Sequence, residues 1–272
     1  MGETAVFWLR VSLGLYSLGL AHALLTVIRQ RQKLFRLALA AFSVAAVFHL
    51  VSLVEEGLAR GRFPVANLHQ SASLIGFLIT ALFLSLYWKY KYESLAVFLF
   101  PLVFVFTLVA SLGHPVEAWR SPALRSWWLY VHVALALLGY AALIVTFVAA
   151  VMYLIQEREL KSKRPRAFYY RLPPLGALDD LAYKTMAAGF ALVTLALIAG
   201  SVWAFVEWGT RWVVDGKIAL AFVTWAVYLL MIFTRWTIGW RGRKAAYFAI
   251  VGFACAALSW LAGRGAHSVL LP

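Results

Sequence analysis

Cysteine is almost absent from this sequence. The 272 residues include one cysteine, Cys255, which lies inside an apolar run. A lone cysteine cannot form a disulfide within the chain, and no CxxC motif occurs, so thiol–disulfide exchange is not the work of this protein. The same count excludes a cysteine-rich zinc or iron–sulfur site.

Acidic residues are also scarce, with 11 Asp and Glu against 25 Lys and Arg and a net charge of +14. Such a balance can indicate nucleic-acid binding. However, 64% of the residues are hydrophobic, whereas a soluble domain has about 45–50%. Basic residues in the loops of a membrane protein meet anionic lipid headgroups. We therefore interpret the chain as a membrane protein and not as a nucleic-acid-binding one.

Long apolar runs dominate the chain. A membrane-spanning helix needs about 20 mostly apolar residues, and eight runs approach or exceed that length. They cover residues 5–28, 35–57, 67–87, 95–112, 127–155, 182–206, 218–238 and 245–263. The period-2 alternation of barrel strands is absent, so these runs predict helices. The first run lacks the features of a removable signal peptide. We predict an all-α polytopic membrane protein, a bundle of about eight transmembrane helices forming one domain over residues 1–272.

The distribution of basic residues predicts the orientation of the bundle. Most Lys and Arg residues fall in four connections, at 29–36, 89–91, 158–184 and 235–244. Because basic loops stay on the cytoplasmic side, both termini are predicted outside, in a multi-pass protein of the bacterial cytoplasmic (inner) membrane. The longest inner loop, 156–184, is either a solvated linker or a docking site for a cytoplasmic partner.

Histidines gather at the predicted outer face. His69, His114, His132 and His267 lie there, His49 lies in the outer half of the second span, and His22 lies in the inner half of the first. Imidazole can ligate haem iron or another metal, titrate near neutral pH, or form structural hydrogen bonds. No HxH or HxxxH spacing suggests zinc or copper. His132 and His267 lie at the same predicted depth, which suits two axial ligands approaching a planar cofactor from opposite sides.

Tryptophan is concentrated in the stretch "WAFVEWGTRWVVDGK", residues 203–217, predicted to be an outer loop. It contains Trp203, Trp208 and Trp212 among charges of both signs. One interpretation is an aromatic belt at the membrane interface. The other is a platform on which indole faces hold a porphyrin plane, with Arg211 or Lys217 pairing with its propionates. The residues alone leave both open.

Several ordered motifs resemble one known family. They are "RFPVANLHQSASLIGF", "SPALRSWWLYVHVALALLGYAAL", "LDDLAYKTMAAGFALVTLALIAGSVWA", "TRWTIGWRGRKAAYFAIVGF" and "GRGAHSVL". Their order resembles the cytochrome c assembly and haem-handling proteins with a tryptophan-rich WWD signature, the CcsA/CcmC/HemX group. The resemblance is best over about residues 48–270.

This resemblance implies roles for individual residues. His132 and His267 would be axial ligands to the iron of haem b on the outer face. A tryptophan platform would be formed by Trp203, Trp208, Trp212 and Asp215, with Arg211 beside it. The implied function is presentation of haem for cytochrome c assembly, with a CcsB/ResB-like membrane subunit and apocytochrome c as partners. The chain would be at most one subunit of a haem lyase, or cytochrome c synthase, system.

The chain also departs from the family pattern. Val214, Gly216 and Ile218 replace a tryptophan, a proline and an acidic residue of the signature. Phe233 stands where the CcsA branch has an intramembrane histidine, so His49 or His22 is a candidate to supply such a ligand. These departures favour, as an alternative, a HemX-like regulatory protein controlling haem-biosynthesis enzymes through cytoplasmic contacts. A transporter is disfavoured because paired broken helices are not evident.

Overall fold

A computed structural model describes residues 2–29, 32–61, 63–65, 67–113, 126–162, 172–210 and 216–261. This part of the chain forms eight α-helices and no strand. They are α1 (Glu3–Arg29), α2 (Gln32–Arg60), α3 (Leu68–Tyr90), α4 (Leu95–Ser111), α5 (Trp127–Lys161), α6 (Leu175–Trp208), α7 (Gly216–Thr237) and α8 (Arg243–Leu261).

Each predicted apolar run corresponds to one of these helices, which confirms the all-α fold class. By length and composition, α1, α2, α3, α5, α6 and α7 each contain a segment able to cross a membrane. The chain is therefore a multi-pass membrane protein. Helix α4 is apolar but spans only 17 residues, with Pro101 inside it. The orientation with both termini outside stays a prediction.

Two helix ends differ by six or seven residues from the apolar runs that predicted them. Helix α5 continues past residue 155 to Lys161, where the Lys161 ammonium lies 2.6 Å from the Glu157 carboxylate one turn earlier. Such pairs stabilise a polar helical extension beyond the apolar part. Helix α6 begins at Leu175, not near 182. Pro174 precedes it and has no N–H to satisfy, which suits a helix start.

The chain divides into two compact units, and the single-domain description stays a prediction. Unit 1 contains α1–α4 and unit 2 contains α5–α8. In unit 1, α1 packs against α2 and α4, and α3 packs against α4. Aromatic side chains fill its interior. Phe42 and Phe100 stack there, and Phe83 meets Phe100 edge-on with ring centroids 4.9 Å apart.

Unit 2 is built around the close pair of α5 and α6. A Cβ added to Gly189 would lie 3.1 Å from the carbonyl oxygen of Gly139, and one added to Gly139 would lie 3.2 Å from the carbonyl oxygen of Gly189. Small residues at such a crossing let two helix backbones approach closely. His132 and Ala196 lie seven residues away from this crossing, in opposite chain directions. The glycine contact therefore brings the beginning of α5 against the later part of α6.

Candidate functional site

His132 lies in the second turn of α5 and is half-buried. Its Nδ1 donates a hydrogen bond to the carbonyl oxygen of Ala196 on α6, at 2.6 Å. A carbonyl oxygen can only accept, so Nδ1 carries the proton and Nε2 carries the lone pair. The bond therefore fixes both the tautomer and the direction of the imidazole.

Gly200 makes room for this ring on the surface of α6. A Cβ at position 200 would lie 2.5 Å from Nδ1 and 2.7 Å from Cε1 of His132. Those distances are far inside van der Waals contact, so a side chain at this position would displace the imidazole. The glycine lies one helical turn after Ala196, whose carbonyl accepts the hydrogen bond. The sequence therefore supplies both the acceptor and the space for one fixed histidine.

This arrangement fits an axial ligand of haem iron. Metal-ligating histidines commonly donate their second ring N–H to a backbone carbonyl, as His132 does. Among the residues that the structure describes, no three His, Cys, Asp or Glu side chains cluster to hold a bare metal ion. An imidazole that acts singly suits iron that a porphyrin already holds in four positions.

The beginning of the tryptophan-rich stretch is helical, whereas the whole stretch was predicted to be a loop. Helix α6 continues to Trp208 and α7 begins at Gly216, so the prediction of a loop over 203–217 was wrong in extent. Trp203 lies within α6 and its side chain is 4% exposed. The residues after it contain no glycine or proline until Gly209, which ends the helix with φ +61°.

Several predicted site residues lie outside the described part of the chain. They are Arg211, Trp212, Asp215 and His267. For Trp208, the helix position is described but the side chain is not. The haem-binding roles of these residues stay predictions, as does the pairing of His132 with His267.

His49 is a fully buried histidine in the interior of unit 1. Its Nε2 lies 2.9 Å from the Ser73 hydroxyl, and its Nδ1 lies 3.3 Å from the Tyr16 hydroxyl. Both ring nitrogens therefore have hydrogen-bond partners, so iron ligation would have to break one of these bonds. The ligand role of His49 stays a prediction. Phe233 lies on α7 with 57% of its surface exposed.

A polar cluster that the sequence did not predict joins α2, α3 and the N-terminus in unit 1. The Glu56 carboxylate is fully buried. It accepts hydrogen bonds from the Gly2 backbone N–H at 2.6 Å, from Gln70 Nε2 at 2.7 Å and from Arg60 Nε at 2.6 Å. Three donors compensate the cost of burying this charge.

Replacing Glu56 with glutamine should destabilise unit 1 by about 1–2 kcal/mol, because an amide nitrogen cannot accept the hydrogen bonds that one carboxylate oxygen accepts. Thermal unfolding of the detergent-solubilised protein measures the change. Glu55→Gln is the matched control, since that neighbour is only half-buried. Equal stability of the two variants would contradict a structural role for the cluster.

A second unpredicted cluster lies at the beginning of α6. The Asp179 carboxylate binds both terminal nitrogens of Arg235, from α7, at 3.0 and 2.8 Å. It also accepts the backbone N–H of Gly242 at 2.9 Å, in the turn before α8. The Arg235 guanidinium lies 4.4 Å from the centre of the Tyr183 ring, whose hydroxyl accepts from Trp236 Nε1 at 2.6 Å. One carboxylate thus connects three helices of unit 2.

This cluster also lines a cleft of about 610 Å³. A sequence signal existed for it, because Asp179 and Arg235 are charged residues inside segments that are otherwise apolar enough to span a membrane. Their pairing was not predictable, since 56 residues separate them. The cluster ties the beginning of α6 to the end of α7 and to the turn before α8.

Comparisons with known proteins agree with the fold and with the motifs. The family described as "Cytochrome C assembly protein" matches residues 8–267. "Cytochrome c biogenesis protein CcsA" of Guillardia theta is 29% identical over 96% of this chain and 92% of its own length. The CcsA protein of Microcystis aeruginosa is 32% identical, over 78% of this chain and 80% of its own.

The fold is similar to that of a solved structure. "Cytochrome c Heme Lyase CcmF" matches 95% of this chain with a TM-score of 0.71 and 20% sequence identity. This chain spans 47% of the length of that protein, so the likeness concerns the fold alone. Together with the motifs around His132 and the tryptophan-rich stretch, the match over residues 8–267 shows that this chain belongs to the cytochrome c assembly protein family.

Proposed function

We propose that this membrane protein binds haem b and presents it at the outer face of the bacterial cytoplasmic membrane for cytochrome c assembly. His132 and His267 are the axial ligands, and the tryptophan-rich segment around Trp203, Trp208 and Trp212 supports the porphyrin. The observation that carries the proposal is the His132 imidazole, held by the Ala196 carbonyl and seated on Gly200.

The residues of the chain bind and orient the haem. The hydrogen bond to Ala196 directs the Nε2 lone pair away from α6 and increases the electron donation of the imidazole. In this proposal Arg211 pairs with a propionate, and Asp215 belongs to the same segment. Haem itself supplies the iron and the vinyl groups that react with apocytochrome thiols.

Partners complete the proposed activity. A CcsB/ResB-like membrane subunit would recruit apocytochrome c to the haem that this chain holds. The protein is then one subunit of a cytochrome c synthase. The names of its CcsA relatives support this assignment, since they describe cytochrome c biogenesis.

The absorption spectrum of the purified protein, oxidised and reduced, tests the proposal. We expect a low-spin bis-histidine haem spectrum in the wild type that is lost in both His132→Ala and His267→Ala. His22→Ala is the control, because that half-buried imidazole donates to the Leu18 carbonyl of its own helix, at 2.8 Å.

A haem-free wild type that stays empty after haem is added would contradict the ligand assignments. The regulatory, HemX-like function would then become the working hypothesis. Under that function, co-purification should recover enzymes of tetrapyrrole synthesis on the predicted inner loop 156–184, and not apocytochromes.

A further inference from the structure

His69 in unit 1 is held in the same manner as His132 in unit 2. It is the second residue of α3 and is half-buried. Its Nδ1 lies 2.8 Å from the carbonyl oxygen of Val109 on α4, to which it donates a hydrogen bond. A Cβ at Gly113 would lie 2.6 Å from Cγ and 2.7 Å from Cβ of His69.

The two histidines share three features. Each lies in the first two turns of its helix, and each donates from Nδ1 to a carbonyl of the helix that follows in the chain. In each case a glycine stands four residues after that carbonyl, against the imidazole: Gly113 follows Val109, and Gly200 follows Ala196. The same tautomer follows for both, with the lone pair on Nε2.

The other two described histidines are held differently. His49 is fully buried, with both ring nitrogens in hydrogen bonds to side chains. His22 bonds to the carbonyl one turn earlier in its own helix. A Cβ at Gly76 of α3 would lie 3.7 Å from Cε1 of His49, an ordinary van der Waals distance, so that glycine is not needed to make room for the ring. His132 combines an Nδ1 hydrogen bond to a carbonyl with a glycine that makes room for the ring. Among the described residues, this combination therefore recurs only at His69.

The turn that carries His69 is held rigidly. Asn67 caps α3 by accepting the Gln70 backbone N–H at 2.9 Å. The Gln70 side chain donates to the buried Glu56 carboxylate at 2.7 Å. A ligand fixed by its supporting contacts loses little conformational entropy on binding, which favours a preorganised site.

We propose that His69 is a second ligand for haem iron, carried by unit 1 and separate from the outer site at His132. This inference rests on the proposed function, since the shared carbonyl acceptor and glycine indicate an iron ligand only if His132 is one. The ligand class is an iron porphyrin, because a single imidazole can serve as an axial ligand of iron that a macrocycle already holds. The chain would then bind two haems.

Haem titration of four full-length proteins in detergent tests the proposal: wild type, His69→Gln, His132→Gln and the double variant. Glutamine keeps an N–H donor for the Val109 or Ala196 carbonyl but is a poor iron ligand. We expect each single variant to bind half as much haem per chain as the wild type. The double variant should bind less than one tenth as much. His22→Gln is the matched control and should equal the wild type.

Two outcomes separate the inference from the proposed function. If His69→Gln matches the wild type and the double variant matches His132→Gln, His69 only ties α3 to α4 and the inference is overturned. If His132→Gln matches the wild type while His69→Gln loses haem, the ligand role of His132 fails and that of His69 stands.

Imidazole rescue provides an independent readout. In His69→Gly, added free imidazole should restore the absorption spectrum of the second haem, because it can occupy the vacated place beside Gly113. A purely structural histidine would give no such spectral recovery. Absence of rescue, with normal folding by circular dichroism, would count against ligation.

Discussion

Replacing Gly200 with alanine should lower the haem affinity of the outer site by about 10- to 100-fold, the usual effect of losing an outer-shell partner of a metal-ligating histidine. The new Cβ would lie 2.5 Å from His132 Nδ1. The imidazole must move away, and its hydrogen bond to Ala196 must break. No proposed ligand is altered, so the loss would come from orientation alone. Haem titration followed by absorption measures the affinity.

Gly176→Ala is the matched control for this experiment. It lies on the same helix, α6, and a Cβ there would meet nothing within 4 Å. Alanine favours a helix over glycine, so this variant should be at least as stable as the wild type and bind haem equally. If Gly200→Ala also binds haem as the wild type does, the space that Gly200 leaves for His132 on α6 has no part in haem binding.

Replacing Asp179 with alanine should destabilise unit 2 by about 3 kcal/mol, the range for removing one partner of a largely buried ion pair. The Arg235 side chain is 11% exposed and would lose its bidentate carboxylate. The Gly242 N–H would lose its acceptor in the same substitution. Thermal or denaturant unfolding in detergent measures the effect, read from the tryptophan fluorescence of unit 2.

Asp180→Ala is the control for the ion pair. This neighbour pairs with Lys184 at 2.6 Å, but both side chains are more than half exposed. Exposed pairs one turn apart contribute under about 0.5 kcal/mol. A double-mutant cycle with Arg235→Ala should show that the two losses are not additive. Equal losses of stability in Asp179→Ala and Asp180→Ala would contradict a structural role for the Asp179–Arg235 ion pair.

The helices were predictable because lipid leaves few alternatives. A backbone inside hydrocarbon must satisfy its own hydrogen bonds, so each apolar run becomes a helix. The ends were less predictable, since they depend on local features outside the apolar pattern. Pro174 begins α6 earlier than hydropathy indicates, and Gly209 ends it later.

The site was predictable only in part. His132 was identified from its motif, but its carbonyl acceptor lies 64 residues away and a backbone group has no sequence signature. Gly200 resembled any other glycine in an apolar helix until the position of the imidazole was known. The Glu56 cluster likewise depends on the meeting of α2, α3 and the N-terminus, which no spacing along the chain reveals.

Electron paramagnetic resonance of the ferric, haem-loaded protein tests the central claim most directly, because the signal reports the ligands of the iron. To isolate the outer site, the measurement should compare His69→Gln with His69→Gln/His132→Gln. We predict a low-spin bis-imidazole signal in the first protein, replaced by a high-spin signal or by loss of haem in the second. An unchanged low-spin signal after loss of His132 would contradict the account.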